Sequence, residues 1–241
     1  PYGQSEIVGD VWEPLFGNFF FGTDQIGRDM LSMLIYGARN MIALALLTTG
    51  CAFGLGSLLG FLAATMGGWV DQVLSRFVDV VISIPTLIFA LIVLSSTGTS
   101  IFALVTVIAI IYAMPVYRIA RAVAMDIEVM DYVEAARLRG EGLWWIMRKE
   151  ILPNALTPLA AEFGLRFCFV FLLISGLSFL GLGLQPPLAD WGAMVRDNGG
   201  GIAWGFMHPL VPATCIALLT IGINLIVDSV VQKASGLRED H

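Results

Sequence analysis

Charged residues are scarce in this chain of 241 residues. Asp, Glu, Lys and Arg make up only 13% of it, while hydrophobic residues make up 57%. Soluble globular domains carry about 25% charged residues. The composition therefore excludes an ordinary soluble domain and indicates a membrane protein. A net charge of −6 also argues against binding to nucleic acid, which requires a basic face.

Residues that bind metals or form disulfides are few as well. Cys51, Cys168 and Cys215 each fall inside a long apolar run, which predicts packing residues and not a disulfide framework or a metal site. The two histidines, His208 and His241, are too few and too far apart to form a metal site. We therefore expect no bound metal and no cofactor on this chain.

Lysine occurs at only two positions, Lys149 and Lys233, and neither is followed by Ser or Thr. The chain therefore lacks the glycine-rich loop ending in Lys-Ser or Lys-Thr that cradles ATP phosphates. We expect no catalytic site here. Asp and Glu are also sparse within the apolar runs, which leaves no obvious relay for ion-coupled transport.

Five apolar runs are long enough to cross a bilayer. A helix rises about 1.5 Å per residue, so roughly 20 apolar residues span a hydrocarbon core of about 30 Å. Lipid offers no partner to a backbone amide, so each run must be helical. The sequence predicts an all-α polytopic membrane protein with spans at 41–65, 77–97, 101–125, 158–180 and 209–231.

More than a third of the charged residues are concentrated in one segment, which begins in the last part of the third run. Residues 118–150 hold six basic and six acidic residues, twelve of the 32 charged residues (13 basic plus 19 acidic). Gly140 and Gly142 interrupt this segment, since glycine adopts backbone angles that end helices. We expect two short helices joined by a glycine turn at the membrane surface, with Pro153 ending the second. That second helix carries one apolar stripe, formed by Leu143, Ile146, Met147 and Ile151. A simple solvated loop is the alternative.

The basic residues also predict an orientation. If residues 118–150 are cytoplasmic, nine basic residues fall on the cytoplasmic side and three outside, with Arg166 inside its run. The N-terminal segment 1–40, with an amphipathic helix over 26–38, is then external, and the tail 232–241 is cytoplasmic. The odd number of spans leads us to expect a further helix upstream.

Two further patterns lie within the spans. The oppositely charged pair Glu162 and Arg166 is spaced i,i+4, which suits either a structural, snorkelling pair or a marker of a substrate pathway. Small residues four apart let helices approach closely in lipid, which is the expected role of the pairs Gly50/Gly54 and Gly56/Gly60.

The charged segment resembles a known motif. Glu134-Ala135-Ala136, then Gly140 after three residues, then Ile151-Leu152-Pro153, is similar to the EAA loop of ATP-binding-cassette importer permeases. Segments 21–39, 67–85, 176–195 and 224–228 are similar to signatures of the dipeptide, oligopeptide and nickel branch of that family.

This resemblance implies a type I importer transmembrane domain over 41–231, with a coupling loop at 126–153. It implies that Glu134, Ala135, Ala136 and Gly140 contact a cytoplasmic ATPase. The implied partners are a second permease subunit, two ATP-binding subunits that hold ATP and magnesium, an external solute-binding protein and membrane lipid. Peptides are the implied substrate, with nickel chelates or opine-like conjugates as alternatives. An ion-coupled secondary transporter and a non-transport scaffold are the alternatives of other classes.

In such a protein, the residues before the last span would lie outside. We expect Trp191, Trp204 and the glycine-rich stretch 198–201 in an external loop near the mouth of the path. Tryptophan there would hold the membrane interface or meet the solute-binding protein.

Overall fold

A computed structural model describes residues 2–234, with side chains through residue 229. The predicted tail, 232–241, therefore lies outside the described residues apart from the backbone of 232–234. Residues 2–234 contain no β-strand, only the isolated bridges Ile7–Arg28 and Thr23–Asp29. The helices are α1 (Met30–Met66), α2 (Gly68–Ser83), α3 (Thr86–Thr97), α4 (Ile101–Glu128), α5 (Asp131–Leu138), α6 (Leu143–Ile146), a π-helical turn (Met147–Ile151), α7 (Leu152–Phe179), α8 (Trp191–Asn198), a 3₁₀ helix (Gly199–Trp204) and α9 (Leu210–Ala234).

The described helices confirm the all-α polytopic class. Four are long and apolar enough to cross a membrane: α1, α4, the continuous Leu143–Phe179 and α9 over Leu210–Ser229. Helices α2 and α3 provide a fifth crossing if they form one span.

The span predicted at 77–97 is not one continuous helix. Helix α2 ends at Ser83, α3 begins at Thr86, and the two are bent by 88°. Pro85 lies in the break. Proline disfavours the helical conformation of the residue before it, and Ile84 is extended, with φ −86° and ψ 128°.

The prediction that Pro153 ends a helix is also wrong. The Leu152 amide bonds to the Met147 carbonyl five residues back, which widens the turn just before the proline. A wider turn relieves the clash between a proline ring and the carbonyl four residues earlier. The helix therefore runs on, and α6, the π-helical turn and α7 form one rod.

The stretch 26–38 is not a separate amphipathic helix, because α1 begins at Met30 and continues into the first span. Its predicted apolar face is buried at Met30, Met33 and Leu34. Asp29 and Ser32, expected on other sides, are buried too. The Ser32 hydroxyl donates to Asp29 Oδ2 over 2.6 Å, which satisfies both groups.

The chain divides into two compact units. The first comprises residues up to Leu47, 91–105 and 168–224. Within it the N-terminal turns are bonded to the α8 region: Asn198 Oδ1 accepts from Trp12 Nε1 at 3.2 Å and from the Gln25 amide at 3.1 Å. His208 Nε2 donates to the Glu13 carbonyl over 2.8 Å. These long-range bonds give residues 2–28 a defined structure without regular secondary structure.

Trp191 belongs to the core of this first unit. It is 5% exposed, and its indole N–H donates to the Leu34 carbonyl over 2.9 Å. The expectation that Trp191 holds a membrane interface or a partner is therefore wrong, because its ring is covered by this chain. Trp204, by contrast, is 76% exposed.

Asp190 fixes the start of α8. Its Oδ1 accepts from the amides of Gly192 at 2.8 Å and Ala193 at 3.2 Å, and its Oδ2 accepts from the Ser178 hydroxyl at 2.6 Å. Burial raises the pKa of the Asp190 carboxyl, while the Ser178 hydroxyl and the helix amides act in the opposite direction. The hydrogen-bond donors around this cap therefore offset the free-energy cost of burying the Asp190 carboxylate.

The second unit comprises 48–90, 106–167 and residues from Leu225 onward. Helices α1 and α4 touch backbone to backbone here, because a Cβ on Gly56 would lie 2.6 Å from the Ala113 carbonyl and one on Gly60 would lie 2.8 Å from the Tyr117 carbonyl. The packing role predicted for Gly56 and Gly60 is confirmed. A Cβ on Gly50 or Gly54 would meet nothing within 4 Å, so that pair does not pack within this chain.

Ion pairs add polar links inside the second unit. Asp71 pairs with Arg121, and Asp79 with Arg118 at 2.5 Å, which joins α2 to α4. Glu162 and Arg166 pair within α7. Both of these side chains are largely covered by the chain.

We predict that Gly60→Ala destabilises the protein while Gly50→Ala does not. The added methyl at position 60 would force apart the backbones of α1 and α4, and such overpacking costs about 1–3 kcal/mol. Position 50 has open space. The midpoint of thermal unfolding of each purified variant measures this difference in stability. Loss of the monodisperse chromatographic peak on heating reports the unfolding. Equal midpoints would contradict the close approach.

Candidate functional site

Helix α5 is an eight-residue helix that lies between two candidate spans. Met130 precedes it in an extended conformation, with φ −79° and ψ 141°. Asp131 and Glu134 occupy the first turn and Arg137 the last. Carboxylates near the N-terminus and a guanidinium near the C-terminus both suit the helix dipole. The local sequence therefore favours a helix even though it is short.

Gly140 terminates α5 in a Schellman motif. Its φ is +83°, its amide donates to the Arg137 carbonyl over 2.9 Å, and the Glu141 amide donates to the Ala136 carbonyl over 3.2 Å. A Cβ at Gly140 would meet nothing within 4 Å. Glycine is required here by the left-handed backbone and not by close packing.

One side of α5 is buried in the second unit. Val133 and Ala136 are fully buried, and Val133 contributes to a core that also draws on α1, α4, α6, the π-helical turn and α7. Burying a side chain the size of valine stabilises by about 1.5–3 kcal/mol. This core holds α5 in place. Its members are Phe61, Ala120, Ala124, Ile127, Val133, Ile146, Met147, Ile151, Ala155 and Leu159.

The opposite side of α5 faces away from the chain. Residues three, four and seven apart share one face of a helix, and all four residues on this outward face are exposed: Asp131, Glu134, Ala135 and Leu138. Leu138 is 84% exposed, an unusual position for leucine on a polar helix. We call these four residues the outward face of α5. An apolar residue among charges at the surface suits contact with another protein.

The structure therefore separates the four residues predicted from the sequence. Glu134 and Ala135 lie on the outward face, Ala136 packs into the chain's own core, and Gly140 shapes the turn. Leu138 was missed. The sequence did contain a sign of it, because Leu138 is an apolar residue that does not belong to the apolar stripe of the following helix.

Two polar contacts brace the segment. Arg137 pairs with Glu128 at the end of α4, and the Arg139 guanidinium lies 5.9 Å from the centroid of the Trp145 ring. An exposed ion pair contributes about 0–1 kcal/mol. The apolar core, rather than these charges, holds α5.

The predicted stripe of the second helix is confirmed in part. Ile146, Met147 and Ile151 are buried, whereas Leu143 is partly exposed. Because the rod Leu143–Phe179 is continuous, the segment that follows the turn at Gly140 leads directly into a candidate span. Across residues 2–234, no group of three or more His, Cys, Asp or Glu side chains is arranged to hold a metal ion.

These features define a polytopic helical membrane protein, in which a short helix with one exposed face lies on a buried core between two candidate spans. A crystal structure of the MetNI methionine ABC transporter in an inward-facing conformation has the same fold, with a TM-score of 0.68 and 19% identity, over 85% of this chain and 97% of that one. A crystal structure of an amino acid ABC transporter matches with a TM-score of 0.56 and 23% identity, over 82% and 92%.

The chain belongs to the family described as the binding-protein-dependent transport system inner membrane component, which matches residues 56–234. A probable D,D-dipeptide transport system permease protein of Escherichia coli is 34% identical over 88% of this chain and 71% of its own length. A di/tripeptide transport system permease protein of Pseudomonas aeruginosa is 35% identical over 95% and 78%. The predicted family is confirmed, and the chain is a permease component of a transport system, not an enzyme in its own right.

We predict that Gly140→Val loosens the end of α5 while Gly142→Val does not. A left-handed backbone costs a residue with a Cβ about 1–2 kcal/mol. Gly142 has φ −77° and ψ 163°, a conformation that valine adopts readily, and it also has open space around it. Hydrogen–deuterium exchange over 131–142 should therefore accelerate in the first variant alone. Unchanged exchange in both would contradict the role assigned to the left-handed turn.

Proposed function

We propose that this chain is the permease subunit of an ATP-driven importer and forms half of a translocation path for di- or oligopeptides. The observation that carries the proposal is the outward face of α5, an exposed polar and apolar surface on a helix between two spans. The family membership and the peptide substrates in the relatives' names support it.

The partners follow from the chemistry that this chain lacks. With no P-loop in its sequence, energy has to come from separate subunits that bind ATP and magnesium. We propose two cytoplasmic ATP-binding subunits, a second permease subunit that completes the path, an external solute-binding protein that delivers the peptide, and a surrounding bilayer.

We propose that Glu134, Ala135 and Leu138 contact an ATP-binding subunit. Alanine allows close approach, leucine supplies apolar area, and the carboxylate supplies a charged contact. Ala136 and Gly140 act differently: Ala136 is buried on the inner side of α5, and Gly140 shapes the turn.

Coupling would then be mechanical. When the ATP-binding subunits close, α5 moves with them and carries the core beneath it. The rod Leu143–Phe179 transmits this movement into the membrane as a rigid body.

The orientation is part of the same proposal. The connection between α4 and α7 lies on the cytoplasmic side of a bacterial inner membrane, and the N-terminal segment lies on the external side. The excess of basic residues on the α5 side supports this arrangement.

Among substrates, nickel chelates and opine-like conjugates are the alternatives within the family. Selection falls largely to the solute-binding protein, so the ligand bound by that partner distinguishes them. Family membership decides against the ion-coupled secondary transporter and the scaffold.

We predict that Leu138→Glu uncouples transport. Burying a leucine at an interface contributes about 1.5–3 kcal/mol, so its loss would weaken contact with the ATP-binding subunit about tenfold or more. Glu134→Lys should act in the same direction through charge reversal, with a partial dependence on salt. Peptide uptake and substrate-stimulated ATP hydrolysis by the reconstituted complex measure both effects.

Leu138→Met is the matched control, because methionine keeps the apolar contact. All three variants should insert and remain folded, since these side chains do not pack within this chain. Normal uptake and normal stimulation by Leu138→Glu would reject the outward face as the coupling surface.

We predict that single cysteines report the orientation. Ser5 and Asp126 are both exposed. In a background without the three native cysteines, Ser5→Cys should react with an impermeant thiol reagent added to spheroplasts, and Asp126→Cys only after permeabilisation. The reverse pattern would overturn the orientation. Ser32 would be a poor probe because it is 2% exposed.

A further inference from the structure

An apolar groove of about 650 Å³ lies in the second unit, between α1 and the first part of the rod Leu143–Phe179. Its walls are formed by side chains such as Phe53, Leu58, Leu152 and Leu156. Its floor includes Gly54, around which no atom lies within 4 Å of an added Cβ. Both walls belong to candidate spans, so the groove opens at the level of the bilayer.

The two ends of the groove differ in chemistry. Arg148 and Trp144 line one end, and both are exposed. The Arg148 guanidinium forms no ion pair within the part of the chain that the structure describes. Tryptophan and arginine at the end of a span mark the headgroup level of a bilayer, where an arginine attracts anionic lipid.

At the other end of the groove, two of its lining side chains meet. The rings of Phe53 and Phe163 lie 5.0 Å apart and bridge α1 to α7. Arg148 and Phe163 are 15 residues apart on one rod, or about 22 Å at 1.5 Å per residue. The hydrocarbon core is about 30 Å thick, so the groove covers roughly one leaflet and its headgroup region.

We infer that this groove binds an anionic phospholipid of the adjacent leaflet, with its phosphate on Arg148 and one acyl chain running toward Phe163. A partner's transmembrane helix crosses both leaflets and would need a groove that extends across both. A single acyl chain ends within its leaflet, as this groove does. The site is independent of which solute the protein transports.

Photolabelling of the assembled transporter in phosphatidylcholine nanodiscs tests the site. The probe is a phosphatidylglycerol with a diazirine near the end of one acyl chain. We expect it to label peptides that contain Phe53 and Phe163. Leu156→Trp, which fills the groove, should reduce this labelling several-fold. A phosphatidylcholine probe should label these peptides more weakly.

The charge on Arg148 provides a second variant that leaves the apolar walls intact. Arg148→Gln should reduce phosphatidylglycerol labelling about fivefold, because one basic residue strengthens binding to anionic lipid by about this factor. Lys149→Gln is the matched control, since Lys149 is exposed, basic and adjacent but does not line the groove. Labelling in this control should match the wild type.

Three outcomes would overturn the inference. One is equal labelling of the wild type and Leu156→Trp, and another is equal loss in Arg148→Gln and Lys149→Gln. The third comes from benzoylphenylalanine at position 156: a cross-linked product with the mass of another protein chain would show that protein occupies the groove. Peptide uptake is not a readout in any arm, so failure of the lipid site and failure of the proposed import are distinguishable.

Discussion

A backbone amide in a hydrocarbon core must find its hydrogen-bond partner within its own helix, and this constraint organises the whole chain. The long apolar runs become helices, and departures from regular helix occur only at particular residues. Pro85 separates α2 from α3, the π-helical turn accommodates Pro153, and the left-handed Gly140 ends α5. The breaks at Pro85 and Gly140 redirect the chain, whereas the π-helical turn lets the helix continue past Pro153.

The outward face of α5 depends on what lies beneath it. Val133 is buried in a core shared by several helices and Ala136 is fully buried on the same side of α5, whereas the ion pair between Arg137 and Glu128 is partly exposed. Burial of one valine is worth more than a surface ion pair, by about 1 kcal/mol or more. The apolar core therefore gives α5 the rigidity that a mechanical link requires, and the charges remain available for a partner.

The proposed lipid site and the core beneath α5 share residues. Met147 and Phe61 belong to the core beneath α5, and both also line the groove. A lipid chain in the groove would support the same side chains that hold α5 in place. The groove and the buried side of α5 are therefore connected through one packed cluster, in which side chains have few alternative arrangements.

The sequence by itself determined the membrane class, the family, the approximate positions of the spans and the glycine turn at Gly140, because hydrophobic run length and glycine conformation act locally. Only the tertiary structure decided which side of α5 is free and how the helix passes Pro153. Only the tertiary structure also showed that Trp191 is buried, although its sequence context predicted an external loop. Ala135 and Ala136 show the physical reason: the two are chemically identical neighbours, and the position of the core formed by distant helices exposes one and buries the other.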